Sequence, residues 1–491
     1  NFMKSIGGRK QVDTVFRAYD PSIDRALGTV DLDDYEPSIT PDGAKGVGWK
    51  YLKQLGPMMP SIFSGLYKGE AAMEDYIQRS EEVIKICHDD TYMQDASFGS
   101  VVESIMKKFD ELLPLVGAVM SGMISRWRLD RMFHGCEGAK DLLISLCMDL
   151  DGNPTSEMGH AMVRLAFFPE IQKTESGDDF VRKLNEEGSF SSEFLSAYGD
   201  FMHRFGCRGM KEIDIATPRT YEKETDFFNQ LKQINTEKNA INNVTERRKA
   251  AYQELLAKAK ELGKEDTFKH HANIIQRLFG YREHPKYLFV VMVDMMRRRA
   301  LKIGYDFSKR GRLERAEQIF DLKVAQITEA QSNKDTDVLQ LVKANKEPYK
   351  KVEHVKNWPV IIDSRGRIIR GKPKEQDIEG GILVGDPVSP GTVKGRAKVL
   401  FEPYEKPLEQ GEILVTRFTE PSWTPIFINA AGVVMEVGGP LQHGAIIARE
   451  YGIPCISGLD NATTLIKDGD LIEIDGSAGT IQLVQDEGTK N

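Results

Sequence analysis

The sequence has few cysteines, and their spacing is not that of a disulfide framework. Its 491 residues include five cysteines, and none of them forms a Cys-x-x-Cys pair. They are Cys87, Cys136, Cys147, Cys207 and Cys455. An odd number scattered over a long chain argues against a disulfide framework. A reducing compartment is the simplest interpretation.

Long apolar runs and a targeting signal are also missing. The most apolar run, Leu112 to Ile124, is too short to span a bilayer and contains Pro114 and Gly117. No N-terminal segment combines a basic start, an apolar stretch and a cleavage site. The net charge of −8 gives no general attraction to nucleic acid or to an anionic membrane. These features predict a cytoplasmic protein that binds neither nucleic acid nor a membrane.

Most of the chain before residue 355 has the periodicity of helices, after an irregular N-terminal segment. Residues 1–57 are irregular and predict either a strap or the tail of a preceding domain. From residue 58 to 355, apolar residues recur at steps of three and four, as between Ala71 and Cys87. Pro114 is predicted to kink or divide one of these segments. The pattern predicts one mostly α-helical domain over residues 58–355.

Two further predictions concern this helical region. Residues 222–280 are rich in lysine and glutamate around a narrow apolar stripe, which is typical of a solvated helical hairpin. A later helix is predicted from about Tyr287 to Gly304, where glycine is a natural stop.

The pattern changes to strands after residue 355. Residues 356–380 predict short strands around a turn at Ser364-Arg365-Gly366, followed by a segment, 371–380, of linker composition. Over residues 381–486 strands dominate, and two helices are predicted near 424–430 and 443–451. We expect a compact β/α domain on a flexible linker.

The segment with the clearest chemistry is VVMEVGGPLQHGAIIAREYGIPCISG, from Val433 to Gly458. A buried strand enters a sharp turn at Gly438-Gly439, and His443 then lies at the first turn of a helix. Helix N-termini favour anions, and a neutral imidazole is a competent nucleophile near its ordinary pKa of about 6.5. The pattern favours phosphoryl acceptance by His443, although a simple helix-capping role stays open.

This segment closely resembles the mobile histidine domain of the enzymes that use or make phosphoenolpyruvate (PEP), which include PEP synthase and rifampin phosphotransferase. The positions that match the family pattern are Gly438, Gly439, His443, Ala445, Ala448, Arg449, Gly452, Ile453 and Pro454. The resemblance implies a C-terminal swivelling β/β/α phosphohistidine domain in which His443 is the catalytic carrier. It also implies phosphate-positioning roles for Gly438, Gly439, Gln442 and Arg449.

Two of these positions leave alternatives open. Gln442 stands where the family usually has a hydroxyl residue, which puts the orientation of the imidazole in question. Arg449 lies roughly 240° around the helix from His443 by the 3.6-residue repeat, so it can either contact the phosphate or anchor the domain.

The order of the domains is similar to that of rifampin phosphotransferase, where a helical substrate domain precedes the histidine domain. A charge-dense segment, GCRGMKEIDIATPRTYE, supplies Arg208, Glu212, Asp214 and Arg219 as candidates for a substrate or phosphate site. Structural ion pairing is the alternative for them, and Cys207 replaces the histidine usual in the family. Arg297-Arg298-Arg299 could meet a phosphate, but a solvated helix face is favoured.

The resemblance further implies ATP and Mg²⁺ as cofactors, bound by an ATP-grasp domain that phosphorylates the histidine. No glycine-rich ATP-binding segment precedes residue 60, the chain begins at Asn1 rather than at methionine, and no metal site is expected within it. We therefore expect an ATP-grasp partner, in the same polypeptide or a separate one, and a small-molecule acceptor.

The sequence thus predicts a dikinase-type phosphotransferase, with two alternatives. One is a phosphate-activated ligase of the prodigiosin-condensing type. The other is a pseudoenzyme or interaction module without catalysis, which the departures at Gln442 and Cys207 favour.

Overall fold

The computed structural model describes residues 56–68, 71, 73–234, 240–355, 361–362, 365–369, 381–403, 405–439 and 442–484. All but the last two residues of the predicted strap over 1–57 lie outside these ranges, as does the predicted linker over 371–380.

The first part of the described chain is helical, as predicted. Its α-helices are α1 Met59–Lys68, α2 Glu74–His88, α3 Phe98–Leu112, α4 Gly117–Met132, α5 Ala139–Leu146, α6 Pro154–Ala166, α7 Pro169–Lys173, α8 Gly177–Leu184, α9 Ser192–Phe205, α10 Glu224–Gln233, α11 Ala240–Glu261, α12 Glu265–Leu278, α13 His284–Lys309, α14 Val324–Ser332 and α15 Val338–Lys350. Within the described ranges, no helix is both long enough and apolar enough to cross a bilayer.

Short polar residues and proline define several of these helix boundaries. Ser97, Asn153 and Ser191 accept hydrogen bonds from backbone N–H groups in the first turns of α3, α6 and α9. The segment around Pro114 forms a 3-10 turn, Leu113–Val116, between α3 and α4. Proline therefore divides this segment, as predicted.

Two expectations for the helical region were wrong in detail. Helix α13 continues through Gly304 to Lys309. A Cβ at Gly304 would lie 2.3 Å from the backbone oxygen of Ala316, so this glycine allows close packing and does not end the helix. The polar region 222–280 forms three helices, α10 to α12, and buries Leu255, Phe268 and other side chains in a hydrophobic cluster.

The second part of the chain is built on a mixed sheet, as predicted. Two short strands, β1 Ile361–Ile362 and β2 Ile368–Ile369, pair antiparallel ahead of it. The sheet has eight strands in the order β3-β10-β9-β5-β6-β7-β8-β4. These are β3 Ile382–Val384, β4 Asp386–Ser389, β5 Thr392–Val399, β6 Ile413–Thr416, β7 Gly432–Met435, β8 Cys455–Ser457, β9 Leu471–Asp475 and β10 Thr480–Leu483.

The parallel strands of this sheet position the helix that carries His443. Strands β5, β6, β7 and β8 pair in parallel. Helix α16, Thr424–Asn429, connects β6 to β7, and helix α17, His443–Glu450, connects β7 to β8. A helix that follows a parallel strand begins at the carboxyl edge of the sheet, where ligands of α/β folds bind. A last short helix, α18, spans Ala462–Leu465.

The two parts of the chain pack against each other. One hydrophobic cluster contains Trp423, Phe427 and Tyr451 of the sheet domain together with Met158 and Phe205 of the helical domain. The structure therefore shows the sheet domain docked on the helical domain.

Candidate functional site

His443 is the first residue of helix α17, as predicted. The N-cap residue, Gln442, has an extended backbone and makes no side-chain cap. Its N–H donates to the Gly439 carbonyl at 3.0 Å, which closes the turn before the helix. At Gly438, where φ is +156°, a Cβ would lie 3.3 Å from the Ser457 Cβ. Glycine at this position therefore lets the turn lie against β8.

The two nitrogens of the His443 ring have different surroundings. The ring hydrogen-bonds to the backbone carbonyl of Glu420, in the loop after β6. The Nε2 atom is buried and has no hydrogen-bond partner. Because a carbonyl can only accept, the proton lies on Nδ1, and Nε2 carries the free lone pair. The arrangement therefore presents Nε2 as the nucleophile.

Burial and two cations keep this imidazole neutral. Desolvation lowers the pKa of His443 well below 6.5, and the positive charges of Lys286 and Arg208 lower it further. The hydrogen bond to the Glu420 carbonyl acts in the opposite direction but is the smaller effect. In the docked state the imidazole is therefore in its nucleophilic form at neutral pH.

The two cations that lower the pKa of His443 belong to one ion-pair cluster on the helical domain, in which Arg208 and Glu212 are buried and Lys286 is partly exposed. Arg208 donates to Glu212 through Nε at 2.6 Å and Nη2 at 3.2 Å, and Lys286 lies 3.2 Å from the same carboxylate. Arg208 is only 3% exposed, yet its Nη1 has no partner. Buried unpaired donors are costly, so this atom is suited to an oxygen ligand. Two cations and one carboxylate leave this cluster with a net positive charge, and the charges of Lys286 and Arg208 disfavour protonation of His443.

The four predicted substrate-domain residues fall into two groups. Arg208 and Glu212 form the cluster beside His443. Arg219 is fully buried in a second network, where its Nε lies 3.8 Å from Asp294 and its Nη2 donates to the Asp214 carbonyl. The Asp214 carboxylate is exposed and accepts from the Ala216 N–H, which stabilises a turn. Their catalytic roles stay predictions.

Arg449 lies in the interface between the domains. Its Nη1 donates to the Val388 carbonyl at 3.3 Å. Burial and the nearby charge of Arg282 lower its pKa to about 10. The hydrogen bond ties α17 to β4 inside the sheet domain, which favours anchoring of the helix over contact with the phosphate.

The expectation of a solvated face at Arg297-Arg298-Arg299 was wrong. Arg297 is 2% exposed and makes a bidentate pair with Glu222 at 2.7 and 2.8 Å. Arg298 donates to the Cys87 carbonyl at 2.5 Å, and Arg299 donates to backbone carbonyls that include that of Met93. These arginines hold α13 to its neighbours.

Sequence reasoning did not single out Lys286 or Glu420. Lys286 lies in the first turn of α13, behind Pro285, and Glu420 lies in the loop before α16. Both contact the site only through tertiary packing, so no local pattern marks them. Among the described residues, no group of three or more His, Cys, Asp or Glu side chains is arranged to hold a metal ion.

Comparison with known families agrees with this geometry. Residues 408–479, which include His443 and its turn, match the family described as PEP-utilising enzyme, mobile domain. The chain therefore carries the mobile domain of the PEP-utilising enzymes. Residues 114–283, within the helical domain, match the family described as rifampicin phosphotransferase fourth domain.

Some relatives match most of this chain, and others match only about a fifth of it. The chain is 29% identical to a rifampicin phosphotransferase of Streptomyces sviceus, over 95% of this chain and 55% of the relative. It is 34% identical to that of Bacillus subtilis, over 70% of this chain and 42% of the relative. It is 44% identical to a phosphoenolpyruvate synthase of Aeropyrum pernix, over 22% of this chain and 14% of the relative. The chain thus spans about half the length of the rifampicin phosphotransferases it matches.

The lowered pKa of His443 predicts that docking weakens in acid. In the docked state the ring resists protonation, whereas an undocked, hydrated ring titrates near 6.5. The undocked state therefore binds more protons, and docking should weaken progressively as the pH falls below about 6.5. The radius of gyration by small-angle scattering at pH 7.5 and 5.5 measures this effect.

The control for this pH effect is His443→Gln. Desolvation also lowers the pKa of His160, which lies at the same interface, so the variant should retain part of the pH dependence. An equal pH dependence in both proteins would contradict the assignment to His443.

Proposed function

We propose that the chain is the acceptor side of a phosphotransferase, in which His443 carries a phosphoryl group to a substrate held by the helical domain. One observation supports this above the others. The Nε2 atom of His443 is buried and has no hydrogen-bond partner. The imidazole is neutral, and the charges of Arg208 and Lys286 in the other domain help to lower its pKa. A histidine that only capped a helix would not need two cations from a separate domain.

In the proposed transfer, the acceptor oxygen forms a bond to phosphorus while the bond from phosphorus to Nε2 breaks. The electron pair returns to Nε2, and the acceptor, a hydroxyl or carboxylate, becomes a phosphoester or acyl phosphate. A hydroxyl acceptor loses its proton to solvent in the same step. Arg208 Nη1 and the Lys286 ammonium are suited to bind the phosphoryl oxygens, where fixed positive charge stabilises the transition state.

The phosphoryl group would come from ATP, bound with Mg²⁺ by an ATP-grasp domain in the same polypeptide or a separate one. By resemblance this is dikinase-type chemistry that leaves AMP and inorganic phosphate. The proposed division of the chain is a helical substrate domain over residues 58–355, a linker within 356–380 and a swivelling domain over 381–486. Movement on the linker would place His443 alternately at the ATP site and at the helical domain, so one carrier serves two separately organised sites.

A pulse-chase experiment tests this function. The chain is labelled with [β-³²P]ATP, Mg²⁺ and the ATP-grasp domain of a related rifampicin phosphotransferase, then freed of nucleotide and mixed with rifampicin as the first acceptor. Transfer of label from protein to a stable phosphoester supports the proposal. A coupled product formed with release of phosphate would support the ligase alternative instead. A chain that never takes label would contradict both the phosphotransferase and the ligase hypotheses.

A further inference from the structure

The end of helix α17 opposite His443 carries a buried carboxylate. Glu450 is 3% exposed, and its three hydrogen-bond donors all lie in the helical domain. They are Arg282 Nη2 at 2.6 Å, the Asp149 N–H at 2.5 Å and Asn153 Nδ2 at 3.3 Å. A carboxylate at a helix C-terminus is disfavoured by the helix dipole, so its burial depends on these partners.

The donors that receive Glu450 are held in place by their own domain. Asp149 has a left-handed backbone, with φ of 47°, which is uncommon outside glycine but which aspartate adopts more readily than most residues. Thr245 donates to the Asp149 carboxylate at 2.8 Å, and Arg248 donates to the backbone carbonyls of Met148 and Asp149. Because these contacts do not involve Glu450, the socket is preformed for a carboxylate.

A second socket of the same design lies beside His443. The Lys211 N–H donates to the Glu420 carboxylate at 2.5 Å, and Lys211 has a left-handed φ of 49°. Glu420 is also the residue whose carbonyl bonds the His443 ring. Two residues of the helical domain with positive φ thus each present an N–H to a carboxylate of the mobile domain, one near each end of α17.

The residue after Glu450 adds a steric fit to the first socket. A Cβ on Gly159, in helix α6, would lie 2.0 Å from the Tyr451 hydroxyl oxygen. Glycine inside a helix is less stable than alanine, so its presence here needs a steric reason. At this position it leaves the space that the Tyr451 ring occupies in the docked state.

From these contacts we infer that Glu450, seated in the socket of Arg282, Asp149 and Asn153, is a positioning residue that latches the mobile domain in the phosphoryl-delivery state. The inference rests on the proposed function. With Glu420 seated on Lys211, the latch fixes both ends of an eight-residue helix, about 12 Å long. His443 is thereby held in register with Arg208 and Lys286.

A charged latch suits a contact that must open in every cycle. Both Glu450 and Arg282 can be hydrated when the domains separate, so the pair contributes little net stability compared with apolar contacts. Loss of one partner is different, because the other charge then stays buried without compensation. The latch therefore gives a precise docked position without making undocking prohibitive.

Glu450→Gln tests the latch in two independent ways. Hydrogen exchange of the chain alone should show faster exchange in peptides covering residues 147–153, because the Asp149 N–H loses its charged acceptor. In the reconstituted system, transfer from phosphorylated His443 to the acceptor should slow by about 10- to 100-fold, since a misplacement of about 1 Å has effects of this size. Phosphorylation of His443 at the ATP-grasp domain should be unchanged or faster, because that step requires the undocked state.

Two further variants complete the test. Glu412→Gln removes a carboxylate that pairs with Lys398 at 3.1 Å inside the mobile domain, and it should change neither readout. Gly159→Ala should reproduce the effect of Glu450→Gln by displacing Tyr451. Unchanged exchange in Glu450→Gln, or an equal loss of both half-reactions, would overturn the latch. If wild-type His443 takes no phosphate, the proposed function fails, but the exchange experiment still decides whether the latch exists.

Discussion

Replacement of His443 by alanine is expected to abolish phosphoryl loading of the chain. The reaction needs a lone pair at the position of Nε2, and neither alanine nor a bound water supplies an equivalent nucleophile. Removal of a covalent catalytic group has been worth a factor on the order of 10⁶ in the best-studied triads, so label incorporation should fall below detection. The measurement is radiolabel retained on the protein after mixing with ATP, Mg²⁺ and an ATP-grasp domain.

The matched control for this variant is His134→Ala. His134 is an exposed histidine of the helical domain, and its loss should leave labelling unchanged. Both proteins should retain cooperative thermal unfolding, because His443→Ala removes only the hydrogen bond of the ring to the Glu420 carbonyl, and one such bond contributes about 1 kcal/mol. Wild-type labelling in His443→Ala would contradict the assignment of the carrier.

Neutralisation of Lys286 is expected to slow phosphoryl transfer and to raise the pKa of His443. The Lys286 charge disfavours the protonated imidazole, so Lys286→Gln should shift the His443 pKa upward, toward 6.5. Loss of a positive charge aimed at the transferring phosphoryl group should slow the chase step by about 10²- to 10³-fold. Titration of the imidazole C–H resonances by NMR and the pulse-chase rate measure the two effects.

Arg208→Lys tests the second cation with its charge retained. In the wild type, the guanidinium of Arg208 pairs with Glu212 through Nε and Nη2 and keeps Nη1 free. Lysine keeps the positive charge but cannot make both contacts at once. We therefore expect slower transfer, with a smaller change in the His443 pKa than in Lys286→Gln. Lys302→Gln is the control and should match wild type, because Lys302 lies on the same helix as Lys286 but lines a cavity that does not include Lys286. An unshifted His443 pKa in Lys286→Gln would show that the two groups are not in electrostatic contact.

The sequence predicted those features that depend on local pattern. The strand, the Gly438-Gly439 turn and the helix that begins at His443 follow from a contiguous segment, and the division at Pro114 follows from the chemistry of one residue. The order of a helical domain and a strand-rich domain is visible in the change of periodicity after residue 355.

What the sequence could not predict depends on contacts between distant segments. Glycine at position 304 has the same local appearance whether it ends a helix or makes room for the Ala316 backbone. The sockets for Glu420 and Glu450 join residues roughly 200 and 300 positions apart. The left-handed conformations of Lys211 and Asp149 could not be expected either, because neither residue is glycine. Domain docking therefore had to come from the structure.

The most direct test of the account is to map the site of phosphorylation. Wild-type chain is loaded with ATP and Mg²⁺ by the ATP-grasp domain, digested under mildly alkaline conditions that preserve phosphoramidates, and sequenced by electron-transfer mass spectrometry. The account predicts one acid-labile phosphoryl group, on His443, in the peptide that contains the Gly438-Gly439 turn. An acid-stable phosphate on another residue would contradict this assignment. So would a chain that takes no phosphate from an ATP-grasp domain that is shown to phosphorylate its own histidine domain.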